Sequence, residues 1–292
     1  MSELGTRVAV ALVAIPVVLG LTWLGGWYIG APLALFAAMG TLEVSRLGRK
    51  VGAESDRWLA AVAAAGLVLL ATWLECYGAW APWAAGLVAL LAPIALVSSM
   101  RGGPDHAPLS RVGVTLLAVL YVGVAISFAP LLVALPVERG WAAEGSPGLA
   151  GLAVVALPLV ATWVGDSSAY FVGSAWGRRK LAPTISPNKS WEGFWAALVG
   201  SGIAAVVWSV VTQPVLPGAD LGHPLVLGLA GTILGLAAVA GDLVESLLKR
   251  EAGVKDSGTL FPGHGGILDR VDSLLFTLPL AYGLLTLTTS FG

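Results

Sequence analysis

Residues 223–272 read HPLVLGLAGTILGLAAVAGDLVESLLKREAGVKDSGTLFPGHGGILDRVD. The first half, 223–246, is an apolar run long enough to cross a bilayer, which takes about 20 mostly apolar residues. The second half, from Ser246 to Asp272, gathers Lys249, Arg250, Lys255, Arg270, His264, several carboxylates and several glycines. Ionisable groups at a membrane are costly and are retained where function needs them. The junction decides the fold: a lipid-spanning helix that delivers a charged loop to the membrane surface.

The same pattern extends through the chain, which is 57% hydrophobic and 11% charged. Apolar runs at about 8–25, 27–45, 58–75, 80–100, 112–135, 149–176, 191–213, 223–246 and 267–289 predict an all-α polytopic membrane protein with about nine transmembrane helices. With the N-terminus cytoplasmic and the C-terminus outside, all of the 16 Lys and Arg residues except Arg139 fall at or near the cytoplasmic side. That is the positive-inside distribution. The expected location is the cell (plasma or inner) membrane, with the charged loop facing the cytoplasm. The first run follows Arg7 alone, without a clear cleavage site, and is expected to be an uncleaved span.

Several function classes drop out. The single Cys76 excludes an intramolecular disulfide and a cysteine-rich zinc site. Trp23, Trp27, Trp58, Trp80, Trp141, Trp176 and Trp191 lie near predicted helix ends, as in an interfacial belt, and imply no nucleic-acid platform. No internal repeat supports an inverted-repeat transporter; a transporter of an anionic solute stays as an alternative without that support.

Residues 1–140 form one region of five predicted helices with little chemistry. Glu43, three residues before Arg46, is expected to pair with it locally, with a site role as the alternative for a carboxylate within the membrane. Residues 141–292 form a second region of four helices. Asp166, Glu192, Asp242, Glu245, Asp269 and Asp272 lie there, in or at the ends of apolar segments. Most fall on the cytoplasmic side, and Asp166 lies ~15 Å deeper at 1.5 Å per residue. A polar cavity open to the cytoplasm reconciles these charges with the bilayer.

Asp242, Glu245, Ser246 and Lys249 share one helical face, and Asp269 and Asp272 share another. Two such ends can converge on Mg²⁺, which takes oxygen ligands and commonly binds one or two carboxylates plus substrate phosphates. Spacing equally allows Asp269 or Asp272 to pair with Arg250 or Arg270. Lys249, Arg250 and Lys255 suit a polyphosphate, and Gly258, Gly263, Gly265 and Gly266 can bring backbone N–H groups to its oxygens. No Walker A string is present. His264 can donate to a phosphate or move a proton, or rest in a turn; His106 and His223 have no partners in sequence. Upstream, Asp166 and Tyr170 share a face. Ser186, Pro187, Asn188, Lys189 and Ser190 form a turn into the next helix, suited to an anion or to ordinary capping.

Residues 246–272 fit the pattern S-x-x-K-R-x4-K-D-x-G-x2-F-P-x-H-G-G-x-x-D-R-x-D at every fixed position. With the strings DSSAY, LAPTISPNKSWEG and GDLVES upstream, this resembles the phosphatidate cytidylyltransferase (CDP-diacylglycerol synthase) family over about half the chain. The resemblance implies Mg²⁺-dependent transfer of CMP from CTP to phosphatidate, giving CDP-diacylglycerol and pyrophosphate in phospholipid biosynthesis. It implies Mg²⁺ and a second, monovalent cation (K⁺) as cofactors. Implied metal ligands are Asp242 and Asp269, then Asp256 or Asp272. Lys249, Arg250, Lys255 and His264 are the further catalytic expectations. Lys189, Ser186, Asn188, Ser190, Glu192, Asp166, Tyr170, Ser246, Gly265, Gly266 and Arg270 are expected around the substrates. Expected partners are CTP, phosphatidate and membrane lipids; a homodimer is compatible, and nucleic acid is not expected. A CTP-dependent lipid kinase would share these substrates but move the γ-phosphoryl group.

Overall fold

The computed structural model describes residues 15–103, 107–142, 147–219, 221, 223–258 and 265–288. Helix α1 is Ile15–Leu24, the described part of the first predicted span. Eight longer apolar helices follow: α2 Gly26–Lys50, α3 Arg57–Leu74, α4 Tyr77–Ser99, α5 Pro108–Glu138, α6 Gly148–Trp176, α7 Trp191–Thr212, α8 Pro224–Glu251 and α9 Leu268–Leu287. Each of these eight is long and apolar enough to cross a membrane. In lipid a backbone must satisfy its own hydrogen bonds, which is why such runs are helical throughout. The protein is therefore an all-α polytopic membrane protein, with one small exception. The turn expected before α7 is a two-stranded antiparallel hairpin of β1 Lys180–Ala182 and β2 Ser186–Ser190.

Two boundaries move with consequence. α8 runs to Glu251, so Lys249 and Arg250 sit on the helix itself. α5 starts at Pro108 and contains a π-helical turn, Val119–Val124, within which Gly123 packs against Ala64. A Cβ at Gly123 would reach within 2.8 Å of Ala64 Cα. Small residues let membrane helices approach closely, since burial of apolar surface drives nothing between them. The most extensive contacts are of α6 with α7, α7 with α8, and α2 with α3. At the centre of the first two, Ser201 Oγ donates to the Ala161 carbonyl of α6 at 2.7 Å, and Gly235 of α8 packs over the same side chain.

Two of the expected interfacial tryptophans are core instead. Trp80 and Trp141 are buried, and Trp80 Nε1 donates to the Leu67 carbonyl at 3.1 Å. Position near a helix end does not distinguish an indole facing lipid from one that has turned inward onto a carbonyl. Trp23, Trp27, Trp58, Trp176 and Trp191 are exposed, as a belt requires.

Candidate active site

The charged end of the bundle is organised by a residue from its first half. Glu43 of α2 is only 2% exposed. It does not pair with Arg46. Its carboxylate accepts from the backbone N–H of Ile267 at 3.0 Å and of Leu268 at 2.9 Å, and it meets Ser257 Oγ at 2.9 Å. Ile267 and Leu268 begin α9, so Glu43 caps that helix from another part of the chain, where a negative charge is favoured. It thereby fastens the segment between α8 and α9. Spacing along α2 reports only intrahelical neighbours such as Arg46, whereas the partners of Glu43 come from the far end of the chain.

Asp269 closes the same segment from the other side. Its Oδ2 accepts from the N–H of Ser257 at 2.9 Å and of Gly266 at 2.8 Å, and lies 2.8 Å from Ser257 Oγ. A hydroxyl has one proton, so Ser257 shares it between Glu43 and Asp269. The other oxygen, Oδ1, takes Lys249 Nζ at 2.7 Å. Lys249 also lies 2.5 Å from Glu245, one turn back on α8, and its side chain is 13% exposed. Lys249 is thus enclosed between two carboxylates, rather than open to a phosphate. The pairing of Asp269 or Asp272 with Arg250 or Arg270 is not seen among the described residues; Arg250 Nε donates instead to the Ile185 carbonyl of the hairpin.

Three glycines of this segment, Gly258, Gly265 and Gly266, pack against the carboxylates. A Cβ at Gly266 would collide with Ser257 Oγ and both Glu43 oxygens, and one at Gly258 with Glu43 Oε1. Gly265 holds φ +80°, with Asp269 against it; a left-handed backbone there favours glycine. Gly266 was expected to offer its N–H to phosphate, but that N–H is engaged by Asp269. Phe261, Pro262, Gly263 and His264 lie outside the described residues.

Beside this clamp opens a cavity of about 240 Å³ lined by Asp166, Asp242, Asp269, Asp272, Arg270 and the backbone start of α9. The structure thus unites carboxylates from α6, α8 and α9. Asp242 is held from the hairpin by Lys189 Nζ at 2.7 Å and from its own helix by Ser246 Oγ at 3.3 Å. Among the described residues Asp272 accepts the adjacent Ser273 N–H, at 2.6 Å. Apart from the triply bonded Oδ2 of Asp269, these oxygens have few partners, and those of Asp242 are side chains that can swing away.

Other expected residues serve elsewhere. Asp256 and Lys255 stand exposed on the turn after α8 and do not line the cavity. Ser190 caps α7, accepting from Gly193 N–H at 3.2 Å. Glu192 receives the N–H groups of Arg178 and Arg179 at 3.1 and 3.4 Å and so fastens the hairpin to α7. Ser186 and Asn188 lie on β2, and Tyr170 is exposed beside Phe171. None of these last three lines the cavity.

The donor set fits magnesium. It consists of four aspartates lining one small cavity, next to cations that keep phosphate charge tolerable. Among the described residues no three His, Cys, Asp or Glu side chains are drawn round one point.

Residues 5–288 match the model of the Cytidylyltransferase family. A phosphatidate cytidylyltransferase of Pseudomonas aeruginosa is 34% identical over 96% of each chain, and one of Synechocystis is 32% identical over 94% of each. One of Bacillus subtilis is 47% identical over 47% of this chain and 49% of its own length.

Proposed function

The chain belongs to the Cytidylyltransferase family and is a nucleotidyltransferase of the membrane; we propose that it transfers CMP from CTP to phosphatidate in phospholipid synthesis. The observation that carries this is the single cavity where Asp166, Asp242, Asp269 and Asp272 meet at one end of the bundle. The acceptor's acyl chains remain in lipid while the nucleotide enters from water. With the positive-inside orientation, that water is the cytoplasm of the cell, and the membrane is its inner or plasma membrane.

A phosphatidate oxygen attacks the α-phosphorus of CTP. The new P–O bond forms as the bond to the β-phosphate oxygen breaks, and pyrophosphate leaves. The attacking group is already an anion, so no strong general base is needed. Positioning and charge neutralisation carry such transfers. Asp242 and Asp269 would hold Mg²⁺, with Asp272 and Asp166 beside them. When bound, the ion supplies Lewis acidity and offsets phosphate charge. A monovalent cation would share this cluster. Lys189, released from Asp242, and Arg270 at the cavity wall neutralise the phosphates. Asp269, anchored through Oδ2, keeps its other oxygen on Lys249 at the cavity wall.

The test is purified protein with α-labelled CTP, phosphatidate in mixed micelles and Mg²⁺. Labelled CDP-diacylglycerol and pyrophosphate are expected. CDP with a doubly phosphorylated lipid would make the protein a CTP-dependent lipid kinase, and no turnover would end the enzymatic reading of the cavity.

A further inference from the structure

Four helix ends surround a second cavity, of about 510 Å³, which shares no lining residue with the carboxylate cavity. It lies between the C-terminal ends of α2 and α4 and the N-terminal ends of α3 and α5. Since Glu43, near the C-terminal end of α2, reaches the start of α9, both cavities belong to the same end of the bundle.

The inner frame is Asp56, which precedes α3. It accepts from Arg111 Nε at 2.9 Å, a second Arg111 nitrogen and Ser98 Oγ, while its own N–H donates to Thr115 Oγ1 at 3.0 Å. Burial pushes the Asp56 carboxyl up. The hydrogen bonds from Arg111 and Ser98, with the Arg111 charge, outweigh it and leave the group below the usual carboxylate range. Asp56 and Arg111 therefore neutralise each other. Glu54 is a looser neighbour, 3.7 Å from Arg111 with its side chain 63% exposed.

Two arginines in the lining, Arg49 and Arg57, have no carboxylate partner among the described residues. Arg57 lies over the Trp58 ring, 5.3 Å from its centre, which leaves its planar N–H edge free for an oxyanion. The remaining wall is apolar: Trp58 and Ile94 are largely exposed, with Leu59 beside them. Free guanidiniums at helix ends, next to an indole and aliphatic side chains that would face lipid, match a phosphate head with chains attached. A soluble anion would use the first feature and leave the second unexplained.

We propose that this cavity holds an anionic glycerophospholipid of the same leaflet, its phosphate between Arg49 and Arg57 and its chains against Trp58 and Ile94. The site is separate from the reaction centre. Removing both guanidiniums should weaken retention about tenfold or more.

Native mass spectrometry of the full chain, titrated with dioleoyl-phosphatidylglycerol, tests this. That lipid is a phosphodiester with a neutral glycerol headgroup, so it cannot act as the phosphomonoester acceptor. Arg49→Gln/Arg57→Gln should lose one retained lipid. Arg49→Lys/Arg57→Lys should keep most of the affinity, and Trp58→Ala should fall between. CMP transfer at saturating phosphatidate should stay within about twofold in all three, because none of these residues lines the reaction cavity. Unchanged retention in the double Gln variant would overturn the site, as would equal loss of dioleoyl-phosphatidylcholine. Displacement of the lipid by millimolar inorganic phosphate would overturn its assignment to a lipid. The mass readout is independent of turnover, so an inactive protein would leave this result intact.

Discussion

Glu43 and Asp242 are both carboxylates near one end of the same bundle, and their surroundings are opposite. Glu43 is buried, and the partners of its two oxygens are two backbone N–H groups and the Ser257 hydroxyl. Asp242 has a side chain 35% exposed, faces a cavity and is met by the displaceable side chains of Lys189 and Ser246. Asp269 is divided between the two conditions, one oxygen fixed by the loop and one bonded to Lys249. A saturated carboxylate builds structure; an unsaturated one beside a cavity is available to a ligand. Substitution at each should therefore separate stability from activity.

The largest effect is expected at Asp242. Asp242→Asn keeps the shape and the contact with Ser246 but removes the charge facing the cavity. CMP transfer should fall about 10³-fold, the scale of removing one electrostatic contact to a transition state. Thermal melting in detergent should move by no more than ~2 °C, since no fully buried bond is broken. An Asp242→Asn protein that melts far earlier would place this carboxylate with Glu43.

Glu43→Gln should do the reverse in kind. The amide points an N–H at a backbone N–H of Ile267 or Leu268, and a charged hydrogen-bond network is broken at a cost of about 3 kcal/mol. Activity should fall about 10²-fold, because small displacements of positioned groups have effects of that size. Hydrogen exchange gives the decisive readout: the Ile267 and Leu268 amides should exchange faster in Glu43→Gln and at the native rate in Asp242→Asn. Identical exchange in both variants would dissolve the distinction.

This pair also marks how far the sequence could be read. Apolar runs of about 20 residues have one stable form in lipid, so the helices were legible almost to their ends. The convergence of Asp166, Asp242, Asp269 and Asp272 was legible too, because each sits where a charge at a membrane needs a reason. Glu43 was not. Its partner Ser257 is 214 residues away, and local spacing pointed to Arg46. The glycines were ambiguous for a different reason. A backbone approached by phosphate oxygens and one approached by carboxylate oxygens both forbid a Cβ, so Gly258 and Gly266 look alike under either use. Lys249 likewise carries the same helical spacing whether it binds a phosphate or is locked between Glu245 and Asp269.

Gly266→Ala resolves that ambiguity with a smaller effect. Its Cβ would press on the Ser257 hydroxyl and the Glu43 carboxylate, and overpacking costs about 1–3 kcal/mol. Activity should fall about tenfold with a matching loss in melting temperature. Pairing it with Ser257→Ala, which removes one of the crowded groups, should recover part of the stability. Were Gly266 needed only to reach a phosphate, melting would be unchanged and the KM for CTP alone would rise.

The smallest effect belongs to Asp56, a saturated carboxylate far from the reaction cavity in its contacts. Asp56→Asn weakens the bonds to Arg111 and Ser98 and should cost about 1–2 kcal/mol, with turnover within twofold. The pH dependence follows from the sign of its shift. Its carboxyl lies below the ordinary value of 3.8 in the folded protein. Its stabilisation is therefore complete above that value and disappears as pH falls through the lower, folded one. The gap in melting temperature between the native protein and Asp56→Asn should hold from pH 7 to about 5 and close below about 4. A gap that widened in acid would mean that the Asp56–Arg111 pair is not ionised in the fold, and the rule linking saturation to structural duty would fail at the site where it is simplest.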